Sequence, residues 1–377
     1  MTPRLNYDVA VIGLGVYGAA LTDACARAGL RTIGFDAHAR LHNLGSSHGG
    51  SRLFRFTTLE NVSYLPLVLQ AAECWRHLEH ASGEQLRRDS GMAIVEDAGG
   101  QSQRHHGAVG VVDSALHMAQ QFDLEHEVLT SPAFQARYPR LQAGPQARIY
   151  IEPGAFTLHA ERCHEALLDR GMAAGAELRY EQAVTALRDK ASHVRLLLAS
   201  GEEVAARRAI VCAGPWTSNL VPADTLSVLP QPVAWFRDDE PTEAFIPFVR
   251  VRADAPLIFG FPGFEEGSDV KIVLENERTA VTSPGAAARL LMHELQRDLV
   301  KAAHEVLGSL GESATHRQTC YYTSTPDGQL RVGDVTRSIG MVSACSGHGF
   351  KYAPAIAQRI ASRLVAKQSL DRVLTEC

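Results

Sequence analysis

The chain has 377 residues, 45% hydrophobic and 21% charged, with a net charge of −5. That is an ordinary globular composition without the basic excess that nucleic-acid binding requires, and its length makes two domains the expectation. No apolar run reaches the roughly 18 residues needed to span a bilayer and no signal-peptide core precedes the first strand, so a soluble cytoplasmic protein without membrane or nucleic-acid partners is expected.

A strand over residues 9–12 runs into Gly13-Leu14-Gly15-Val16-Tyr17-Gly18, a GxGxxG turn. The first glycine permits the bend, the second lets backbone approach a pyrophosphate, and the third lets the next helix pack closely. A small-residue helix over 19–28, a strand over 32–35 and Asp36 at its end complete the unit. An acid at that place suits a ribose hydroxyl and argues against a 2′-phosphate, leaving FAD and NAD open and disfavouring NADP. The polar loop 42–51 then leads to Arg52 and Arg55, which read either as anion ligands or as a solvated surface. Between 64 and 80, Leu65, Val68, Ala72, Trp75 and Leu78 recur at helical spacing, which assigns Trp75 to packing.

Residues 88–145 mix a strand at 92–95, a helical piece at 115–121 and loops, marking a crossing into a second domain. A strand at 148–151 follows, then a helix through 174 capped by Thr157, with Glu161 and Glu165 near its start. Strands at 177–180, 194–199 and 203–212 lead into Ala213-Gly214-Pro215-Trp216, small residues that admit a ligand close to the backbone. Strands at 233–236, 248–251 and 257–261 suit an antiparallel second-domain sheet, and 286–308 reads as a long helix. After the strand around Thr319-Cys320-Tyr321-Tyr322 and another at 340–344, the turn Ser346-Gly347-His348-Gly349-Phe350-Lys351 enters a helix through 365 and returns the chain to the first domain.

Seven cysteines, at 25, 74, 163, 212, 320, 345 and 377, include no CxxC pair, so reduced thiols are expected rather than disulfides. The sixteen histidines lack metal-ligand spacing, His105 and His106 falling in a polar loop, and no metal site is expected.

Five segments in order carry a resemblance: the GxGxxG turn, Ser47-His48-Gly49-Gly50-Ser51-Arg52-Leu53-Phe54-Arg55, Ala213-Gly214-Pro215-Trp216, Cys320-Tyr321-Tyr322-Thr323 and Ser346-Gly347-His348-Gly349-Phe350-Lys351. Over essentially its whole length the chain resembles the monomeric sarcosine oxidase family of flavin amine oxidases. Other branches of that family are N-methyltryptophan oxidase, L-pipecolate oxidase and the nikkomycin-pathway imino acid oxidase. The resemblance implies an α/β plus α+β protein, with a Rossmann-type FAD-binding domain and an antiparallel-sheet substrate domain, in the glucose-oxidase/D-amino-acid-oxidase-like manner. Residues 1–87, 146–222 and 318–377 are expected in the FAD-binding domain, and 88–145 and 223–317 in the substrate domain.

It further implies FAD bound covalently through Cys320, and oxidation by O2 of the C–N bond of a secondary amine or cyclic imino acid bearing a carboxylate. A carrier-linked dehydrogenase and a flavin-binding subunit without turnover are the alternatives, and a monomer or weak dimer is expected. Gly13, Gly15, Gly18 and Asp36 would serve the dinucleotide, as would Ser47, His48 and Arg52. Gly347, Gly349 and Lys351 would close over the flavin. Arg55 and Lys351 would clamp the carboxylate, 296 residues apart in sequence, the one a planar fork and the other a point charge. Lys271, in Gly263-Phe264-Glu265-Glu266-Gly267-Ser268-Asp269-Val270-Lys271, matches the family's oxygen-activating lysine. Phe259 and Glu275 stand where the sarcosine enzyme has a tyrosine and a histidine, and Glu275 would bind the amine or act as its base. Cys345 replaces a bulkier apolar residue, and His348 either lines the site or packs in its turn.

Overall fold

The computed structural model describes residues 5–375 except 101–103, 106–107, 191, 224, 241–244, 254, 266, 277–278 and 344. His106, Glu266, Ala344 and Cys377, each named in the sequence reading, lie outside the described residues.

The molecule is built on two eight-stranded sheets. In the first, Tyr7–Ile12 pairs in parallel with Thr32–Phe35 on one side and Glu203–Val211 on the other. Glu177–Arg179 extends the Thr32–Phe35 edge in parallel. Glu203–Val211 is long enough to be shared: its first half forms a hairpin with Val194–Leu198, and its second half takes Ile339–Ser343 in parallel. The central strands are apolar on both faces, as burial between layers requires. Helices Val16–Arg27, Leu65–Ser82, Ala160–Ala173 and Ala353–Val365 pack together around one apolar core with this sheet. The C-terminal segment thus returns to the first domain, contributing both a strand and a helix.

The second sheet runs Leu310–Ser324, Ser227–Asp238, Val270–Leu274, Ile258–Phe261, Phe248–Val251, Met92–Glu96, Arg148–Glu152, Glu127–Thr130. Helix Ala286–Val306 packs against it through Leu299, Ala302, Ala303 and Val306. Contrary to the sequence expectation, this sheet is mixed, because Phe248–Val251 lies parallel to Met92–Glu96. These strands are distant in the chain and joined by a path through the first domain, so no hairpin forces them antiparallel. Residues 148–152 and 310–324 run in this second sheet, so the expected domain boundary at 146 falls just before, and that at 318 inside, a strand that serves it.

A three-stranded sheet of Ser51–Phe54, Phe156–His159 and Arg87–Asp89 lies beside the two. Its middle strand corrects the expected cap: Thr157 is a strand residue paired with Leu53, and the helix Ala160–Ala173 is capped by His159, whose Nδ1 accepts from the Arg162 amide at 3.3 Å. Among the described residues no helix is long and apolar enough to cross a membrane.

Candidate functional site

One cavity of about 620 Å³ opens between the sheets and is lined from the glycine turn at one end to Lys351 at the other. At the turn, Gly13 has φ +91°, and a Cβ there would lie 2.6 Å from the Cys212 carbonyl oxygen. A Cβ on Gly18 would lie 1.8 Å from the Gly13 oxygen, so the helix Val16–Arg27 starts against the loop only because both are glycine. Gly15 lines the cavity, and the Ser47 hydroxyl accepts from the Val16 amide at 2.9 Å. Asp36 accepts from the Leu14 amide at 2.8 Å and the His38 amide at 2.9 Å. Burial raises its carboxyl, but the His42 ring and these amides outweigh that and leave it below the usual range. The arrangement presents backbone donors at a helix N-terminus and one carboxylate beyond them, the pattern that binds a dinucleotide.

Cys320, in the strand Leu310–Ser324, also lines the cavity. Both ring nitrogens of His48 lie 4.0 Å from its sulfur. His48 is itself oriented by Gln318 at 3.1 Å and the Gly45 carbonyl at 3.1 Å. Burial pushes the Cys320 thiol up, yet His48, with the charges of Arg52 and Lys271, outweighs burial and brings it down to about 7. The effect is reciprocal: burial lowers His48, and its contact with Cys320 reverses that to a net rise. Arg52 donates to the Ser51 carbonyl at 2.8 Å and the Ser46 carbonyl at 2.9 Å and lies over the Phe350 ring. Lys271 donates to the same Ser51 carbonyl at 2.7 Å, and its Nζ is 5.2 Å from the Phe261 ring centre. Burial, aided by Arg52, pushes the Lys271 ammonium down to about 7.

At the far end, the 296-residue separation closes: the Lys351 Nζ donates to the Arg55 carbonyl at 3.2 Å. The Arg55 guanidinium is engaged by Glu60 and the Thr57 carbonyl. Glu152 accepts from the Phe56 and Thr57 amides at 2.5 and 3.2 Å, pinning the backbone on which Arg55 sits. From the other side, the Trp75 indole donates to the Lys351 carbonyl at 2.8 Å, so this packing tryptophan also positions the lysine. Burial and then Arg55 lower Lys351 to about 7. His348 donates through Nε2 to the Gly328 carbonyl, 2.8 Å away, and burial pushes it down to about 4, so it lines the cavity as a neutral ring near neutral pH. Gly347, Gly349, Phe259 and Cys345 line the same end, and burial raises the Cys345 thiol.

Three expected site residues do not line the cavity. Gly18 is buried in the helix it permits, and His48 stands behind Cys320. Glu275 departs from expectation: it follows the end of the strand Val270–Leu274 and lines a second cavity of about 380 Å³ with Arg252, Asp298 and Lys301. Its charge also reaches the first cavity, adding to the burial that raises Tyr322 there.

The model of the DAO family, FAD dependent oxidoreductases, matches residues 8–363. The chain belongs to this family. A monomeric sarcosine oxidase of Streptomyces avermitilis is 27% identical over 368 residues, covering 94% of this chain and 93% of that protein. An N-methyl-L-tryptophan oxidase of Escherichia coli is 28% identical, covering 97% and 96%. Among solved structures, NikD, an amino acid oxidase essential for nikkomycin biosynthesis, superposes with a TM-score of 0.84 at 21% identity, over 97% of this chain and 98% of that one. These relatives match the resemblance drawn from the sequence, and the two-domain architecture is that of an FAD-dependent oxidoreductase.

As a member of this FAD-dependent family, the chain has residues that fit the cofactor on their own chemistry. The glycine cradle, with no room for side chains, suits a pyrophosphate, and a buried thiol held near 7 suits covalent bonding to it. Two acids went unread in the sequence. Glu60, five residues after Arg55, left no pattern to mark it as the arginine's buried partner. Glu161 was read only as a helix-start acid, yet it binds the Gly49 and Gly50 amides.

Proposed function

We propose that this FAD-dependent oxidoreductase oxidises the C–N bond of a secondary amine or cyclic imino acid bearing a carboxylate, with O2 as acceptor and H2O2 as product. The reading is carried by the meeting of Lys351 and Arg55 at one end of the cavity that Cys320 and Lys271 share. Its relatives that act on sarcosine and N-methyl-L-tryptophan support it. FAD, when bound, supplies the two-electron acceptor for the C–N bond and returns the electrons to O2.

The protein's part is orientation and charge. Glu60 pairs with the Arg55 guanidinium, which leaves the Lys351 ammonium, when protonated, as the charge that a substrate carboxylate would meet. Fixing that carboxylate leaves the substrate's amine-bearing carbon with little freedom, and such restriction contributes much of the rate in well-oriented reactions. Leu53, Val249 and Phe259 give the wall beside the clamp an apolar surface, suited to the ring or alkyl part of the substrate. Lys271, buried and bonded to Ser51, supplies while protonated, below about pH 7, a cation that would favour negative charge developing on oxygen. Cys320, with its proton readily lost to His48, is the attachment point for the cofactor.

Acid precipitation of the purified protein tests the attachment, and peroxide assays under air on a panel of N-methyl and cyclic amino acids test the reaction. The yellow chromophore should stay in the pellet of the unmodified protein and pass to the supernatant for Cys320→Ala. Release from the unmodified protein contradicts attachment. Reduction of the flavin by substrate without peroxide formation favours electron transfer to a carrier instead.

A further inference from the structure

The loop Ser47 to Arg52 carries two groups on which the cofactor site depends: His48 faces the Cys320 sulfur, and the Ser51 carbonyl receives Lys271. Between them lie Gly49 and Gly50, with φ of +97° and +73°. Successive residues of this kind turn their amides to one side, forming a concavity that takes an anion. Here the anion is internal. Glu161, in the first turn of the helix Ala160–Ala173, accepts from the Gly49 amide at 2.6 Å and from the Gly50 amide at 3.1 Å through each oxygen. The neighbouring Ala160 amide donates to the Gly50 carbonyl at 2.6 Å, so helix and loop are joined in both directions. The loop lies directly on the thiol: a Cβ at Gly49 would be 3.6 Å from the Cys320 sulfur.

We propose that Glu161 is a positioning residue, holding the Gly49-Gly50 loop so that His48 faces Cys320 and the Ser51 carbonyl faces Lys271. It does not line the cavity, so it acts through the loop rather than by contact with cofactor or substrate. The titratable groups facing it are His159, whose Nδ1 is 3.6 Å away, Cys163 and His164 on its own helix, and Arg52 and Lys271 across the loop. Arg162 on the same helix turns instead to Glu265. Those facing Cys320 are His48, Arg52 and Lys271, with the Tyr322 hydroxyl and the Cys345 thiol.

The importance of the sulfur rests on the proposed attachment at Cys320, but the geometry can be tested without flavin. In the full chain prepared flavin-free, the rate at which iodoacetamide alkylates Cys320, read by mass spectrometry of its peptide across pH, gives the thiol's midpoint, expected near 7. Positioning and simple charge make opposite predictions. If Glu161 places His48, Glu161→Ala and Glu161→Asp, whose carboxylate is one methylene short of the amides, both raise the midpoint by about one unit toward the free-thiol value. Glu161→Gln, which keeps an oxygen on the amides, stays near the unmodified protein. If only its charge mattered, Ala and Gln would lower the midpoint, because removing a nearby negative charge favours thiolate, and Asp would leave it unchanged. An unchanged or lowered midpoint in Glu161→Asp, which retains both charge and polarity and so tolerates folding best, overturns the proposal. Flavin released by acid from the unmodified enzyme would contradict attachment while leaving the alkylation midpoint to decide the role of Glu161.

Discussion

Lys351 illustrates how burial turns a routine cation into a titrating one. Its ammonium is 3% exposed and lies beside the Arg55 guanidinium; burial first, and that second cation next, outweigh the carboxylates of Glu60 and Glu152 and bring it from 10.5 to about 7. The charge is therefore present below about pH 7 and is lost as the pH rises through that value, well before an exposed lysine would lose its own. A carboxylate ligand without an amine isolates this effect from titration of the substrate. Its affinity for the loaded enzyme, followed by perturbation of the flavin spectrum, should fall about tenfold per unit above pH 7. Lys351→Met should bind weakly and without this pH dependence, and Lys351→Arg, which keeps its charge, should bind with a flat profile. Equal affinity at pH 6 and pH 9 in the unmodified enzyme would remove the Lys351 charge from recognition.

Among elements, the glycine turn and its helix are the most tightly constrained. A methyl group on Gly18 would meet the Gly13 oxygen at 1.8 Å, and backbone, unlike a side-chain tip, has nowhere to yield. Gly18→Ala should cost about 1–3 kcal/mol in urea unfolding, as overpacking does, and purify with a reduced ratio of flavin to protein absorbance. Full loading and unchanged stability would show that the helix can shift at no cost. This turn was legible in sequence because its demands are local: steric limits at three glycines and an acid one strand later. The strand Leu310–Ser324 was legible only around Cys320. Its first half, Glu312, Ser313, His316 and Arg317 among them, is polar and faces solvent at a sheet edge, so no apolar alternation marks it. The parallel pairing of Phe248–Val251 with Met92–Glu96 was likewise hidden, since each strand is ordinary and only their meeting is informative. The second cavity beside Glu275 was hidden for a related reason: a position matched to a family site says nothing of where a chain turns after its strand ends.

Across the whole molecule, the cavity is walled by both sheets and by the C-terminal turn, so cofactor and fold should stabilise one another. A ligand held by equilibrium raises stability in proportion to the logarithm of its free concentration, whereas a tethered one cannot be diluted away. The thermal midpoint of the loaded enzyme should exceed that of the flavin-free chain and stay constant on dilution, while the midpoint of Cys320→Ala should climb as FAD is added. A midpoint for the unmodified protein that tracks added FAD would argue for reversible occupancy.

The strand Ile339–Ser343, the turn at Gly347 and Gly349 and the helix behind Lys351 reach the first domain only after every other site residue has been made. On the ribosome, the glycine cradle at the front of the chain therefore waits through the synthesis of the entire second sheet before its lid exists. A flavin site walled by this late segment is therefore expected to be complete only once residues 339–365 have been made, the central sheet until then missing an inner strand.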